Sequence, residues 1–71
     1  MKKIVAKAKA LGAVEFINWL EQSDLGSLYD IHDADNMLDY NQGNFNMYVF
    51  QTETQLWFYD GVLVNVDGEE L

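Results

Sequence analysis

The stretch Leu56–Val66 constrains the fold of this chain more than any other. Asp60-Gly61 is a strong two-residue hairpin signal, because both central positions of the tight turn that suits twisted strands need a positive φ. The flanking segments, Leu56–Tyr59 and Val62–Val66, are rich in aromatic and β-branched residues. A two-residue turn pairs Tyr59 with Val62, Phe58 with Leu63 and Trp57 with Val64. One face of this hairpin then carries Trp57, Tyr59, Val62 and Val64, and the other Leu56, Phe58 and Leu63. Both faces are apolar. One is expected to pack on helices. The other is expected to be covered by a second subunit or used for binding, since a large bare apolar patch is rare on a monomer.

The segment Phe45–Gln51 has the same composition and adds a strand, which predicts a three-stranded antiparallel meander in the last third of the chain. Upstream, Ala13, Phe16, Ile17 and Leu20 fall on one helical stripe with Trp19 at its border, so a helix is expected at about 12–22. Gly26 follows as a stop. Ser27-Leu28-Tyr29-Asp30 has the form of a capping box, with Ser27 as N-cap. Leu28, Ile31, Ala34 and Leu38 continue at helical spacing, which predicts a short second helix at about 28–40. Asn41-Gln42-Gly43-Asn44 reads as a loop. The first residues are ambiguous. The alternation Lys7-Ala8-Lys9-Ala10 suggests an edge strand at about 2–9 whose lysines discourage aggregation, and a single long helix from 3 to 22 is the alternative. The ending, Asp67-Gly68-Glu69-Glu70-Leu71, is expected to fray. The fold class is therefore α+β, in one small acidic domain spanning 1–71.

With 71 residues and no cysteine, the domain has neither disulfide nor thiolate metal site to staple it. A core of this size rarely supplies more than ~3–5 kcal/mol. Ten aromatic residues partly compensate. No apolar run is long enough to span a membrane, and the lysines interrupt what would be a leader, so a cytoplasmic location is expected.

The charges are segregated. All four basic residues, Lys2, Lys3, Lys7 and Lys9, precede Ala10, whereas the twelve carboxylates and His32 follow it, for a net charge of −8. Direct nucleic-acid binding is not expected from such a balance, since phosphate affinity comes from Lys and Arg. The densest acidic cluster is Asp30, Asp33, Asp35 and Asp39. Neither Asp30 nor Asp33 starts an EF-hand loop: from Asp30 the third and fifth positions are His32 and Ala34, and from Asp33 the fifth, sixth and twelfth are Met37, Leu38 and Asn44, where Asp or Asn, Gly and Glu belong. His32 has no second His or Cys beside it. Paired carboxylates can hydrolyse glycosides, but only beside a cleft this chain has little room to build. Asp24-Leu25-Gly26-Ser27-Leu28 lacks the Asp-Ser-Leu order of an acyl-carrier attachment site, and the β-rich C-terminal third contradicts that all-helical fold. No catalytic residue, cofactor or metal is assigned.

On a helix, Asp30 with Asp33 and Asp35 with Asp39 would project side by side. Carboxylates so arranged, with no base among them, suit a groove lined by Lys and Arg. In size, charge and lack of chemistry the chain resembles the small acidic inhibitors that bacteriophages use against host defence, the DNA-mimic anti-restriction proteins and some anti-CRISPR proteins. The resemblance implies a non-enzymatic inhibitor of a basic nucleic-acid-binding protein or nuclease complex. The expected contact residues are Asp30, Asp33, Asp35, Asp39 and Asp60, with Trp57 and Tyr59. The alternative is a partner-binding or homodimerising module that uses the aromatic sheet face, Trp57, Tyr59, Tyr48 and Phe50, with acids only for solubility.

Overall fold

A computed structural model describes residues 3–23, 29–32, 34 and 36–71. Two helices, α1 (Lys3–Leu11) and α2 (Ala13–Glu21), lead into β1 (Tyr29–His32), a short α3 (Met37–Gln42), and four further strands, β2 (Phe45–Val49), β3 (Thr54–Tyr59), β4 (Val62–Val66) and β5 (Glu69–Glu70). The strands form one antiparallel sheet in the order β1-β2-β3-β4-β5. This is the expected α+β class, with a five-stranded sheet in place of three strands. Among the described residues, no helix is long and apolar enough to cross a membrane.

The core lies between the helices and one face of the sheet. Ile4, Val5 and Ala8 from α1 and Ala13, Phe16, Ile17 and Leu20 from α2 are buried against Phe45, Met47, Val49, Leu56, Phe58 and Leu63. Three rings fix the centre: Phe58 stands 5.9 Å from Phe16 and 5.3 Å from Phe45. On β3 the alternation is complete, with Thr54, Leu56 and Phe58 inward and Gln55, Trp57 and Tyr59 outward.

The N-terminal strand is not formed. Residues 3–11 are helical, and Lys3, Lys7 and Lys9 therefore guard no sheet edge. Ala6, Ala8 and Ala10 favour helix, and Ile4, Val5 and Ala8 fall on one helical side. The break comes at Gly12, which has φ 81° and ψ 176°. Because Gly12 lies outside both helices, neither bears the penalty of an internal glycine.

The helix expected at 28–40 is also replaced. Tyr29 and Ile31 point toward the core while Asp30 and His32 face out, which is a strand alternation. The helix that does form starts later, at Met37, where Asn36 acts as N-cap by accepting the Asp39 N–H at 3.0 Å. It takes in Asn41 and Gln42 of the expected loop and ends at Gly43, where the Asn44 N–H donates to the Asp39 carbonyl and the Gly43 N–H to that of Tyr40. The Ser27 cap and the Gly26 stop lie outside the described residues.

The Asp60-Gly61 hairpin forms as expected, with φ 52° and 82° at its two central residues. Tyr59 pairs with Val62 and Phe58 with Leu63, but Trp57 pairs with Asn65 rather than Val64. A bulge in β4 causes the shift. Without it Asn65 would oppose Leu56 inside the core and Val66 would face water. With it, Val66 opposes Leu56 and Asn65 turns out. The tail does not fray. Asp67-Gly68 makes a second tight turn, with φ 53° and 90°, and β5 pairs Glu69 with Val66 and Glu70 with Asn65. Asp67 ties this turn to β3. Its N–H donates to the Gln55 carbonyl at 2.9 Å, and its carboxylate accepts the Gln55 N–H at 2.9 Å.

Tyr29 links β1 to the helical layer by donating its hydroxyl to Glu21 Oε1 at 2.7 Å. Burial, then the Glu21 hydrogen bond and the charges around it, push the Tyr29 phenol up to about 12. A phenol whose pKa is higher folded than unfolded contributes its stability below its ordinary value of 10 and loses it as pH rises through the folded value. Stability is therefore expected to fall between about pH 10 and 12 through this group. Tyr29→Phe should make the denaturation midpoint less steep in that window, which urea titrations across alkaline pH would measure.

Candidate interaction surface

Helices cover one side of the sheet, and the other side carries every second strand residue. The register places these side chains in rows. One row runs His32, Asn46, Trp57, Asn65 and Glu70 across all five strands, and a second runs Asp30, Tyr48 and Gln55. A third pairs Tyr59 with Val62. Trp57 is 47% exposed, Tyr59 67% and Val62 60%, with Val64 also exposed beside them. Phe50, at the end of β2, is exposed and meets Tyr48 edge-on at 5.2 Å. Asn46 is the buried polar member of the face, and its Oδ1 accepts the Gln55 amide at 3.0 Å.

The face has a one-sided charge. Asp30 and Glu70 stand on it, and the turn residues Glu53, Asp60 and Asp67 are exposed at the strand ends. The described lysines, Lys3, Lys7 and Lys9, all belong to α1 in the opposite layer. There Lys7 Nζ lies 5.7 Å from the Trp19 ring. Among the described residues the one ion-pair contact is His32 Nε2 to Asp30 Oδ2, at 3.8 Å between two exposed side chains. A shallow hollow of about 320 Å³ opens on the face between Trp57, Val64, Asn65, Glu70 and Leu71.

The expected contact residues divide into three groups. Trp57 and Tyr59 are exposed on one face as the hairpin alternation predicts, and Asp60 is exposed in the turn that ends it. Asp30 lies on the same face, but on a strand rather than the expected helix. Asp39 is in the first turn of α3, on a different element. Asp33 and Asp35 lie outside the described residues. Glu70 and Leu71 join the face only because the chain's end pairs as β5. The Asp67-Gly68 dipeptide is the signal that could have found them. Among the described residues, no three His, Asp or Glu side chains converge in a group that could hold a metal ion. No protein family, curated protein or solved structure matches this chain.

Proposed function

We propose that this protein is a non-enzymatic binding protein whose open sheet face docks on a basic surface of a nucleic-acid-handling protein and blocks it, in the manner of anti-restriction and anti-CRISPR inhibitors. One observation carries the reading: exposed aromatic residues and carboxylates share the uncovered side of the sheet, and the described lysines belong to the opposite layer. The carboxylates steer a basic partner and reject an acidic one. Trp57 and Tyr59 then supply desolvated contact area of the kind that anchors interfaces. Nucleic acid itself is repelled by the same face. A helical phosphate-like array is not part of this proposal, because Asp30 and Asp39 sit on different elements.

Affinity capture from a bacterial lysate, with identification of the captured protein, tests the proposal. The expected species has a nucleic-acid groove, is displaced by duplex DNA or RNA, and is released as salt rises to about 0.5 M, where the Debye length falls to a few ångströms. Trp57→Ser should abolish capture, and replacing Lys3, Lys7 and Lys9 with Gln should preserve it. Capture that resists both salt and nucleic acid would overturn the electrostatic reading.

The paired, highly exposed Tyr59 and Val62 favour a second reading, in which the aromatic face binds a partner or a second copy and the acids serve solubility. Asp30→Asn, Asp60→Asn and Glu70→Gln together would then leave binding intact. For a homodimer, sedimentation would show a dimer at high concentration, although two such faces also bring like charges together.

A further inference from the structure

We propose that the hollow between Trp57 and Glu70 is a receptor for one arginine side chain of the basic partner. This rests on the functional reading above and names the group that the face recognises. The hollow lies over a single cross-strand row, Trp57 on β3, Asn65 on β4 and Glu70 on β5. Strands in a sheet are about 4.8 Å apart, so the indole and the carboxylate arise roughly 10 Å from each other with Asn65 between them. A side chain entering between them meets an aromatic plane on one side and an anion on the other. Val64 and Leu71 complete the wall with apolar surface.

The chemistry of this lining selects its occupant. Among the described residues, no lysine or histidine lies within ion-pair distance of Glu70. An apolar group seated in the hollow would strip water from that carboxylate and give nothing back, which disfavours it. An anion would be repelled. A cation satisfies the carboxylate, and an aliphatic stem satisfies Val64 and Leu71. Arginine fits better than lysine because its guanidinium is planar. It can lie flat on the exposed indole face and direct its N–H groups in its own plane toward Glu70. Asn65 cannot substitute for the anion, because its amide carries no charge, and one of the two lone pairs on its Oδ1 is already taken by the Gly68 N–H at 3.0 Å. The volume of about 320 Å³ is at the lower end of ligand sites and leaves room for an arginine side chain. The β4 bulge and the β5 pairing are what build the hollow. The first turns Asn65 outward, and the second carries Glu70 to the end of the row.

The test is a heteronuclear NMR titration of the whole protein with three short glycine-serine peptides containing arginine, lysine or citrulline at the same positions. Citrulline keeps the shape of arginine but not its charge. The arginine peptide should shift the Trp57 indole N–H together with the Asn65 and Glu70 amides, and saturate. The lysine peptide should bind about fivefold or more weakly, and the citrulline peptide should shift none of these signals. Glu70→Gln should weaken the arginine peptide about tenfold while leaving the rest of the spectrum in place. Equal binding of arginine and lysine peptides, or indifference to Glu70→Gln, would overturn the arginine receptor. If those shifts instead spread over Asp30, Tyr48 and Tyr59, the basic-partner reading stands and the hollow is not its receptor. If no cationic peptide shifts any residue of the face, the receptor fails and the basic-partner reading loses its support with it.

Discussion

Gly43→Ala is expected to leave most of the protein unfolded at room temperature. Gly43 ends α3 with φ 77°, a conformation that costs an L-residue about 1–2 kcal/mol. A Cβ there would also stand 2.5 Å from the Gly61 nitrogen and in overlap with its Cα. Both are backbone atoms, so relief requires moving either the helix end or the hairpin turn. Two hydrogen bonds oppose that movement: the Gly61 N–H donates to the Gly43 carbonyl at 3.3 Å, and the Ala13 N–H donates to the Gly61 carbonyl at 2.9 Å. Strain and displacement together should remove about 3 kcal/mol or more, which is comparable with everything a core of this size provides. Gly68→Ala separates the two causes. Gly68 has φ 90°, but a Cβ there meets nothing within 4 Å. Its replacement should cost only the conformational term, about 1–2 kcal/mol. Urea denaturation followed by tryptophan fluorescence measures both. Equal losses for the two variants would show that the contact between Gly43 and Gly61 contributes nothing.

Phe58→Ala should have a comparable effect, and its neighbour Trp57 should not. The two residues are adjacent on β3 and point to opposite sides of the sheet. Phe58 is fully buried between Phe16 and Phe45, and truncating such a ring typically costs about 3–5 kcal/mol. Trp57→Ser removes a half-exposed side chain and should cost about 1 kcal/mol, within the span of strand preferences. Thermal denaturation of the two variants is the direct comparison. A large stability loss for Trp57→Ser would mean that the indole serves the fold, and its exposure on the open face would no longer argue for binding.

The same alternation explains which parts of the structure are legible in the sequence. Around Asp60-Gly61, turn chemistry and period-2 patterning agree, and the strands, the turn and the two faces all follow from them. The α2 stripe is readable for the equivalent reason at period 3.6. Misreadings arise where a segment satisfies two periods at once. Lys7-Ala8-Lys9-Ala10 alternates like a strand, yet its alanines and its buried Ile4, Val5 and Ala8 suit a helix. Leu28, Ile31 and Ala34 have helical spacing, but Tyr29 and Ile31 also alternate with Asp30 and His32. Pairing with β2 decides the matter there, and a partner strand is invisible in a local window. The β4 bulge is a still more distant effect, since it depends on which of Asn65 and Val66 the core admits. The candidate face inherits this pattern. Trp57 and Tyr59 are readable from the hairpin, whereas Glu70 depends on a strand of two residues, Glu69-Glu70, that local preference alone does not favour.

The meeting of the Asp60-Gly61 turn with Gly43 and Ala13 has a consequence for how this chain can change in length. Hairpin tips are ordinarily where extra residues, tags or grafted peptides are absorbed without harm. Here the tip holds together the end of α3 and the start of α2, and Asn44 Oδ1 accepts the Asp60 N–H at 2.7 Å. An insertion at that tip would be read by three elements at once. Growth is better accommodated at the opposite end of the sheet, in the exposed turn around Gln51 between β2 and β3, which is where a reporter or affinity handle belongs.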